Sequence, residues 1–206
     1  MTHTLHRQID SGPDNEFILL SMAAQGFNDV GAAAKLKEVL SIVIKCGPVN
    51  FADDNHGGLF TGLEEEKVKA LMNDKAYIGA VFEEEDKVKK VLRLLKERDL
   101  GMSITITGDR DRIFSILDDV GLEPNAIHLS LGIFGKKKSL PSRKIMEICT
   151  MCGHGMVSAN KVKEILKKIK EGKIDCMEGA KTLAKTCTCG IFNVNRAARI
   201  LNSILS

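Results

Sequence analysis

The stretch AYIGAVFEEEDKVKKVLRLLKERD (76–99) determines how the first two thirds of this sequence are interpreted. Its first seven residues are almost continuously apolar, which is typical of a strand covered on both faces. In the remainder, four apolar residues recur at the spacing of one helix face: Val88, Val91, Leu92 and Leu95. A strand followed directly by an amphipathic helix predicts a unit of an α/β domain.

The same alternation extends from residue 16 to about residue 135. Short apolar runs predict five strands: FILLSMAA (17–24), PVNFA (48–52), AYIGAVF (76–82), MSITITG (102–108) and AIHLSLGIF (126–134). The amphipathic segments between them predict helices over 31–44, 63–74, 84–99 and 109–120. We therefore expect an α/β domain with a substantially parallel sheet. A ferredoxin-like α+β sandwich is the alternative, because this pattern does not fix the order of the strands.

A hinge and a helical tail follow. The segment GKKKSLPS (135–142) combines Gly, Pro, Ser and three lysines, and we place the boundary there, between an α/β domain (1–138) and a small all-α domain (139–206). Past the hinge, helical periodicity predicts three helices, over 157–172, 175–185 and 193–205. Asp175 and Glu178 have the spacing of a capping box. A hydrophobic core this small gives only marginal stability, and small domains are often stabilised by a bound metal.

Composition indicates a soluble, cytoplasmic protein. No apolar stretch is long enough to span a bilayer, and MTHTLHRQID (1–10) lacks the apolar core of a signal peptide. The charge is uneven: residues 141–206 carry 12 Lys and Arg against 5 Asp and Glu, a net +7, whereas residues 1–140 carry 18 against 22, a net −4. An acidic front and a basic tail suggest that the two parts have different partners.

Four of the six cysteines form the main functional motif, C149-x2-C152-x34-C187-x-C189. Two close pairs separated by a helical insert are suited to a four-thiolate metal or cluster site, with Cys149, Cys152, Cys187 and Cys189 as ligands. Each second cysteine precedes a glycine, which allows a tight turn. Structural zinc sites more often use two C-x2–4-C knuckles, so an iron–sulfur cluster is favoured and zinc is the alternative.

With these residues in view, the tail resembles the bacterioferritin-associated ferredoxin-like domain, a small helical [2Fe-2S] module. The turn GHGMVSANKV (153–162) approximates the family's turn into its first helix, and CGIFNVNRAARIL (189–201) its second pair and last helix. The resemblance covers about residues 147–203 and reverses the order of the C-x-C and C-x2-C pairs. It implies a [2Fe-2S] cluster on the same four cysteines, with [4Fe-4S] as the other option, and a role in electron transfer.

Other polar residues have a functional and a structural interpretation. His154 could tune the centre or replace a thiolate, and Cys176 could be an exchange ligand, although a turn histidine and a packed cysteine are the simpler interpretations. Asp53, Asp54, Asn55 and His56 could bind a metal or small ligand, or form only a polar turn. Cys46 is expected in the core and Asp109 as a helix cap. His3 and His6 lie near a terminus, where side chains are usually mobile.

Three classes of function follow. The first is an iron–sulfur protein of redox or anaerobic metabolism, more an electron-transfer or accessory protein than a stand-alone enzyme, whose lysines at 161–173 steer it to an acidic redox partner. The second is a nucleic-acid-binding protein whose tail is stabilised by a structural zinc ion. The scarcity of aromatic and arginine residues in the tail disfavours this class. The third is an enzyme in which the cluster serves chemistry at DDNHGG (53–58).

Overall fold

The computed structural model describes residues 16–206, which fold around a five-stranded sheet with helices on both faces. The strands are β1 (Phe17–Met22), β2 (Asn50–Asp53), β3 (Gly57–Gly58), β4 (Tyr77–Phe82) and β5 (Ser103–Thr107). The helices of the first two thirds are α1 (Ala32–Lys45), α2 (Glu65–Leu71), α3 (Glu85–Arg98) and α4 (Arg110–Val120). Those of the tail are α5 (Arg143–Cys149), α6 (Ala159–Lys170), α7 (Cys176–Ala184) and α8 (Val194–Leu205).

The sheet is antiparallel, so the expectation of a substantially parallel sheet was wrong. The strand order is β3-β2-β4-β1-β5, and every neighbouring pair runs in opposite directions. Without the short β3 and helices α2 and α4, this is the ferredoxin-like β-α-β-β-α-β layout that the sequence left open as the alternative. Continuously apolar strands show only that both faces are covered, and here a helical tail covers the second face.

The fifth predicted strand, over residues 126–134, was also wrong. These residues have no regular secondary structure, and β3 at Gly57–Gly58 takes the fifth place in the sheet. Alternating apolar residues resemble a strand, but a strand also needs a neighbour to bond with. Glycines with positive φ angles interrupt the segment at Gly132 and close it at Gly135. Four of its large apolar side chains are exposed: Ile127, Leu129, Leu131 and Phe134.

The two faces of β1 belong to two different cores. Phe17 and Leu19 pack with helices α1 to α4, whereas Ile18 and Leu20 pack with the helical tail. This alternation follows from the period of two residues in a strand. The tail therefore shares its core with one face of the sheet, and the cysteines lie in that shared core. The division into domains at residue 138 stays a prediction.

Polar contacts reinforce the junction between the tail and the sheet. The carboxylate of Glu83, directly after β4, accepts hydrogen bonds from Asn193, Asn195 and Arg199 around the start of α8. Arg196, on the first turn of α8, forms a buried ion pair of 2.6 Å with Glu16 beside β1. These contacts fix the N-terminal end of α8, and with it the turn that carries the last two cysteines.

The tail itself has four helices where the sequence predicted three. Helix α5 is the additional one, a short helix that ends at Cys149. The predicted capping box at the start of α7 is confirmed, since Asp175 accepts from the Glu178 backbone and Glu178 from that of Asp175. The predicted cap of Asp109 on α4 is confirmed as well.

Candidate metal centre

Three of the four predicted ligands meet at one point of the tail. The sulfur atoms of Cys152, Cys187 and Cys189 lie within 4.8 Å of one another. Cys152 follows the end of α5, and the other two lie in the turn between α7 and α8. The sulfur atoms of Cys187 and Cys189 are 3.2 Å apart. All three are free thiols. The prediction that the two pairs come together is thus confirmed for these three.

The cluster is buried in an apolar setting. Cys152, Cys187 and Cys189 are 2%, 3% and 1% exposed and pack with the apolar core of the tail. Burying a polar group costs free energy unless the group has a hydrogen-bond partner. For these thiols the partners are the sulfur atoms of the same cluster.

The three thiols share their protons. Hydrogen bonds from Cys187 and Cys189, helped by hydrogen bonds from the backbone and ring of His154, lower the pKa of Cys152 to about 2. The hydrogen bond between Cys187 and Cys152 raises the pKa of Cys187 to about 12. The hydrogen bond between Cys189 and Cys152 likewise raises the pKa of Cys189. Ionised thiols this close repel one another, so a state with three thiolates is favoured by a cation bound among them.

Glycines shape both cysteine turns, as the sequence predicted. Gly153 and Gly190 have φ angles of 87° and 73°, a region that L side chains rarely adopt. Gly190 has a second role, because a Cβ atom there would lie 2.4 Å from the backbone nitrogen of Ala52. A Cβ atom on Gly79 would lie 2.0 Å from the carbonyl oxygen of Cys189. The turn with the last two cysteines therefore rests directly on the backbones of β2 and β4.

Cys149 does not join the three-sulfur group. It is the last residue of α5, 8% exposed, in the same apolar core. Burial raises the pKa of its thiol. Among residues 16–206, the set of sulfur atoms within 4.8 Å of one another contains the other three cysteines and not this one. Its role as a ligand stays a prediction.

The remaining cysteines lie apart from the group. Cys46 is buried at the end of α1 in the other core, in line with the expected packing role. Cys176 is the partly buried first residue of α7 and packs against the core of the tail. Neither sulfur belongs to a set of clustered metal-type ligands within the described part of the chain.

The turn DDNHGG supplies a further member of the site. Asp54 lies with His154 and Cys189 in a second group, whose ligand atoms are also within 4.8 Å of one another. The sequence suggested a site at this turn and another at the cysteines, and the structure places the two side by side. No sequence signal could have shown this, because residues 54 and 189 are joined only by the docking of the tail on the sheet.

Asp53 and His56 have a structural role in the same turn. Asp53 is buried, accepts hydrogen bonds from the backbones of Asn55 and Tyr77, and lies 2.7 Å from the His56 ring. These contacts hold the turn between β2 and β3. Tyr77 is half-buried beside the site, and the pKa of its hydroxyl is raised by burial first and then by Asp54 and Cys189. Sequence reasoning did not single out this tyrosine.

The lysines of α6 and the turn after it are largely engaged with their neighbours. Glu164 accepts hydrogen bonds from Lys168 and Lys161, and these bonds, with the charges of both lysines, lower its pKa to about 2. Glu171 lies close to Lys167 and Lys173. Such exposed pairs contribute little to stability, and they give this face a mixed charge. The predicted acidic partner stays a prediction.

A cleft of about 670 Å³ lies elsewhere, between β5, α4 and residues 122–129. Its lining includes none of the clustered cysteines. His3 and His6 lie outside the described residues.

Comparison with protein-family models, with curated proteins and with solved structures finds no match to this chain. The resemblance of the tail to the bacterioferritin-associated ferredoxin-like domain therefore stays a prediction. Within residues 16–206, no helix combines the length and the apolar character needed to cross a membrane.

Proposed function

We propose that this chain is a metalloprotein whose centre is one metal ion of the zinc class, bound by Cys152, Cys187 and Cys189. The observation that carries this proposal is the mutual approach of the three buried sulfur atoms to within 4.8 Å. The three clustered thiols have one another as hydrogen-bond partners, and thiolate ligands preferentially bind soft or borderline cations such as zinc.

The spacing favours a single ion over a cluster. Thiolates that share one tetrahedral zinc at a Zn–S distance of about 2.3 Å lie about 3.8 Å apart. The one sulfur pair at 3.2 Å and the confinement of all three sulfur atoms within 4.8 Å of one another are compatible with that value. In a four-iron cluster each thiolate binds its own iron, which sets the sulfur atoms farther apart. Bound here, the ion would supply Lewis acidity and would link the two cysteine turns.

The second candidate is the iron–sulfur protein that the sequence suggested, acting in electron transfer. The observation that favours it is the burial of Cys149 in the same apolar core as the three clustered cysteines. A [2Fe-2S] centre would use Cys149 as the fourth ligand, as the resemblance to the bacterioferritin-associated ferredoxin-like domain implies.

The test is the metal content of protein purified without oxygen, measured together with sulfide and the absorption spectrum. We expect about one zinc-class ion per chain, no sulfide and no visible bands. The ion should be lost in the double variant Cys187→Ala/Cys189→Ala. Cys176→Ala is the matched control, because this cysteine lies outside the cluster, and it should retain the ion.

Two outcomes would contradict the proposal. Iron and sulfide in near-equal amounts, with visible bands that disappear in Cys149→Ala, would establish the cluster instead. Protein without metal, which also fails to bind added Zn²⁺ or Co²⁺, would remove the metal centre altogether.

A further inference from the structure

The cysteine cluster has a second group of ligand-type atoms on its solvent side. Asp54, His154 and Cys189 bring a carboxylate, an imidazole and a sulfur within 4.8 Å of one another. Cys189 belongs to both groups, so the two are continuous. Cys189 is buried, Asp54 is half-buried and His154 is exposed. The ligand-type atoms therefore extend from the apolar core to the surface.

We propose that His154 is the fourth metal ligand and that Asp54 orients its ring, which makes the centre a three-cysteine, one-histidine site with an exchangeable solvent-side position. This inference rests on the proposed function. The inference goes beyond the proposed function because it names the fourth ligand and assigns a role to the turn between β2 and β3. It also makes the centre accessible from one side.

The position of His154 relative to the sulfurs supports ligation. A nitrogen of its ring lies within 4.8 Å of the Cys189 sulfur, and His154 follows Cys152 by two residues in the same turn. The ring is thus next to one of the three proposed ligands in space and close to a second along the chain. Its neighbours Gly153 and Gly155 have φ angles of 87° and 68°, so the chain reverses around it. Three cysteines and one histidine form a recognised tetrahedral zinc set.

Asp54 is placed as the partner of that ring. Its backbone N–H donates to the carbonyl oxygen of Tyr77 at 2.8 Å, and the adjacent Asp53 is locked by its own hydrogen bonds. The carboxylate therefore comes from a fixed turn of the sheet. Histidines that bind metals usually donate their second ring N–H to such a group, which fixes the ring and strengthens the ligand.

The exposure of His154 makes its position the exchangeable one. The three sulfur atoms are enclosed by the core, whereas the ring lies on a Gly-His-Gly turn at the surface. A small neutral or soft donor from solvent, such as an imidazole or a low-molecular-weight thiol, can reach the ion only from that side. A tetrahedral site with four protein ligands is closed, so exchange at this centre requires that the His154 ring leaves the ion.

The test uses the full chain loaded with Co²⁺, whose absorption spectrum reports the number and type of ligands. Replacing His154 with Ala should change the spectrum and weaken Co²⁺ binding by 10-fold or more, and free imidazole should restore the original spectrum. Asp54→Asn should weaken binding by about 10- to 100-fold, as is usual for an orienting partner. Asp54→Glu should recover part of the loss.

His128→Ala is the matched control, because this histidine lies in the segment that lines the distant cleft. It should leave the spectrum unchanged. If Co²⁺ binds but His154→Ala and His128→Ala have the same spectrum, this inference is overturned and the proposed function stands. A spectrum that changes in Cys149→Ser and not in His154→Ala would make Cys149 the fourth ligand. No Co²⁺ binding to the unmodified chain would overturn both proposals.

Discussion

Gly190 is the residue whose backbone joins the metal site to the sheet. A Cβ atom at this position would lie 2.4 Å from the nitrogen of Ala52 and 2.6 Å from the carbonyl oxygen of Gly79. Both neighbours are backbone atoms of the sheet, which cannot move aside as a flexible side chain could. The residue also has a φ angle of 73°, where side chains are strained.

Replacing Gly190 with Ala should therefore lower the free energy of unfolding by about 2–5 kcal/mol, the combined effect of overpacking and of the strained φ angle. It should also weaken metal binding, because the adjacent Cys189 would be displaced. Urea unfolding and Zn²⁺ titration measure the two effects. Gly172→Ala is the matched control: its φ angle is 67°, and no atom lies within 4 Å of the added Cβ. Equal losses in the two variants would show that the contact with the sheet does not matter.

At the scale of the element, the N-terminus of helix α1 is capped by a side chain from a distant part of the sequence. Its N-cap residue, Gly31, has no side chain to accept hydrogen bonds. Asp74, just before β4, accepts instead from the backbone N–H groups of Gly31 at 3.1 Å and Ala33 at 2.8 Å. These bonds lower the pKa of Asp74 from its usual 3.8. A carboxylate at a helix N-terminus is also favoured by the helix dipole.

The sign of the pH dependence follows from that pKa. Because the pKa of Asp74 is lower in the folded chain, its contribution to stability is complete above the unfolded value of 3.8. The contribution is lost as the pH falls through the folded value. We expect Asp74→Ala to lower the thermal midpoint at neutral pH and to match the unmodified chain in acid. Asp118→Asn, at an exposed carboxylate of α4, should show no such convergence. A deficit that persists in acid would contradict the capping role.

The sequence predicted elements better than their arrangement. Periodicity located every long helix, because an amphipathic face is a local property of 10 or more residues. The direction of the strands was not predictable in the same way, because it depends on pairing between distant segments. Residues 126–134 show the same limit, since their alternation of apolar residues is genuine but no strand pairs with them.

The candidate site was predictable to the same extent. Cys152, Cys187 and Cys189 were found from their spacing, because thiols in close pairs have few other uses in such a chain. Asp54 was noticed only as part of a polar turn. Its approach to His154 and Cys189 is produced by the packing of the tail on β2 and β4, a contact that no local pattern encodes.

At the scale of the whole molecule, the tail and the sheet form one interdependent unit. Ile18, Leu20 and Val81 point from the sheet into the core of the tail and are at most 3% exposed. Burying each such side chain stabilises a fold by about 1.5–3 kcal/mol. A domain has only about 5–15 kcal/mol of net stability, so exposing all three would remove much of it.

This dependence predicts the behaviour of the two fragments that the hinge suggests. Residues 1–138 alone should associate or lose cooperative unfolding, because the face of the sheet opposite α1 to α4 would be bare. Mixing them with residues 139–206 and Zn²⁺ should restore a monodisperse complex, since the tail covers that face and Asp54 of the front part lies beside the metal site. Size-exclusion chromatography and urea unfolding measure this. A monomeric fragment 1–138 with a sharp unfolding transition would instead support two independent domains, with the metal centre confined to the tail.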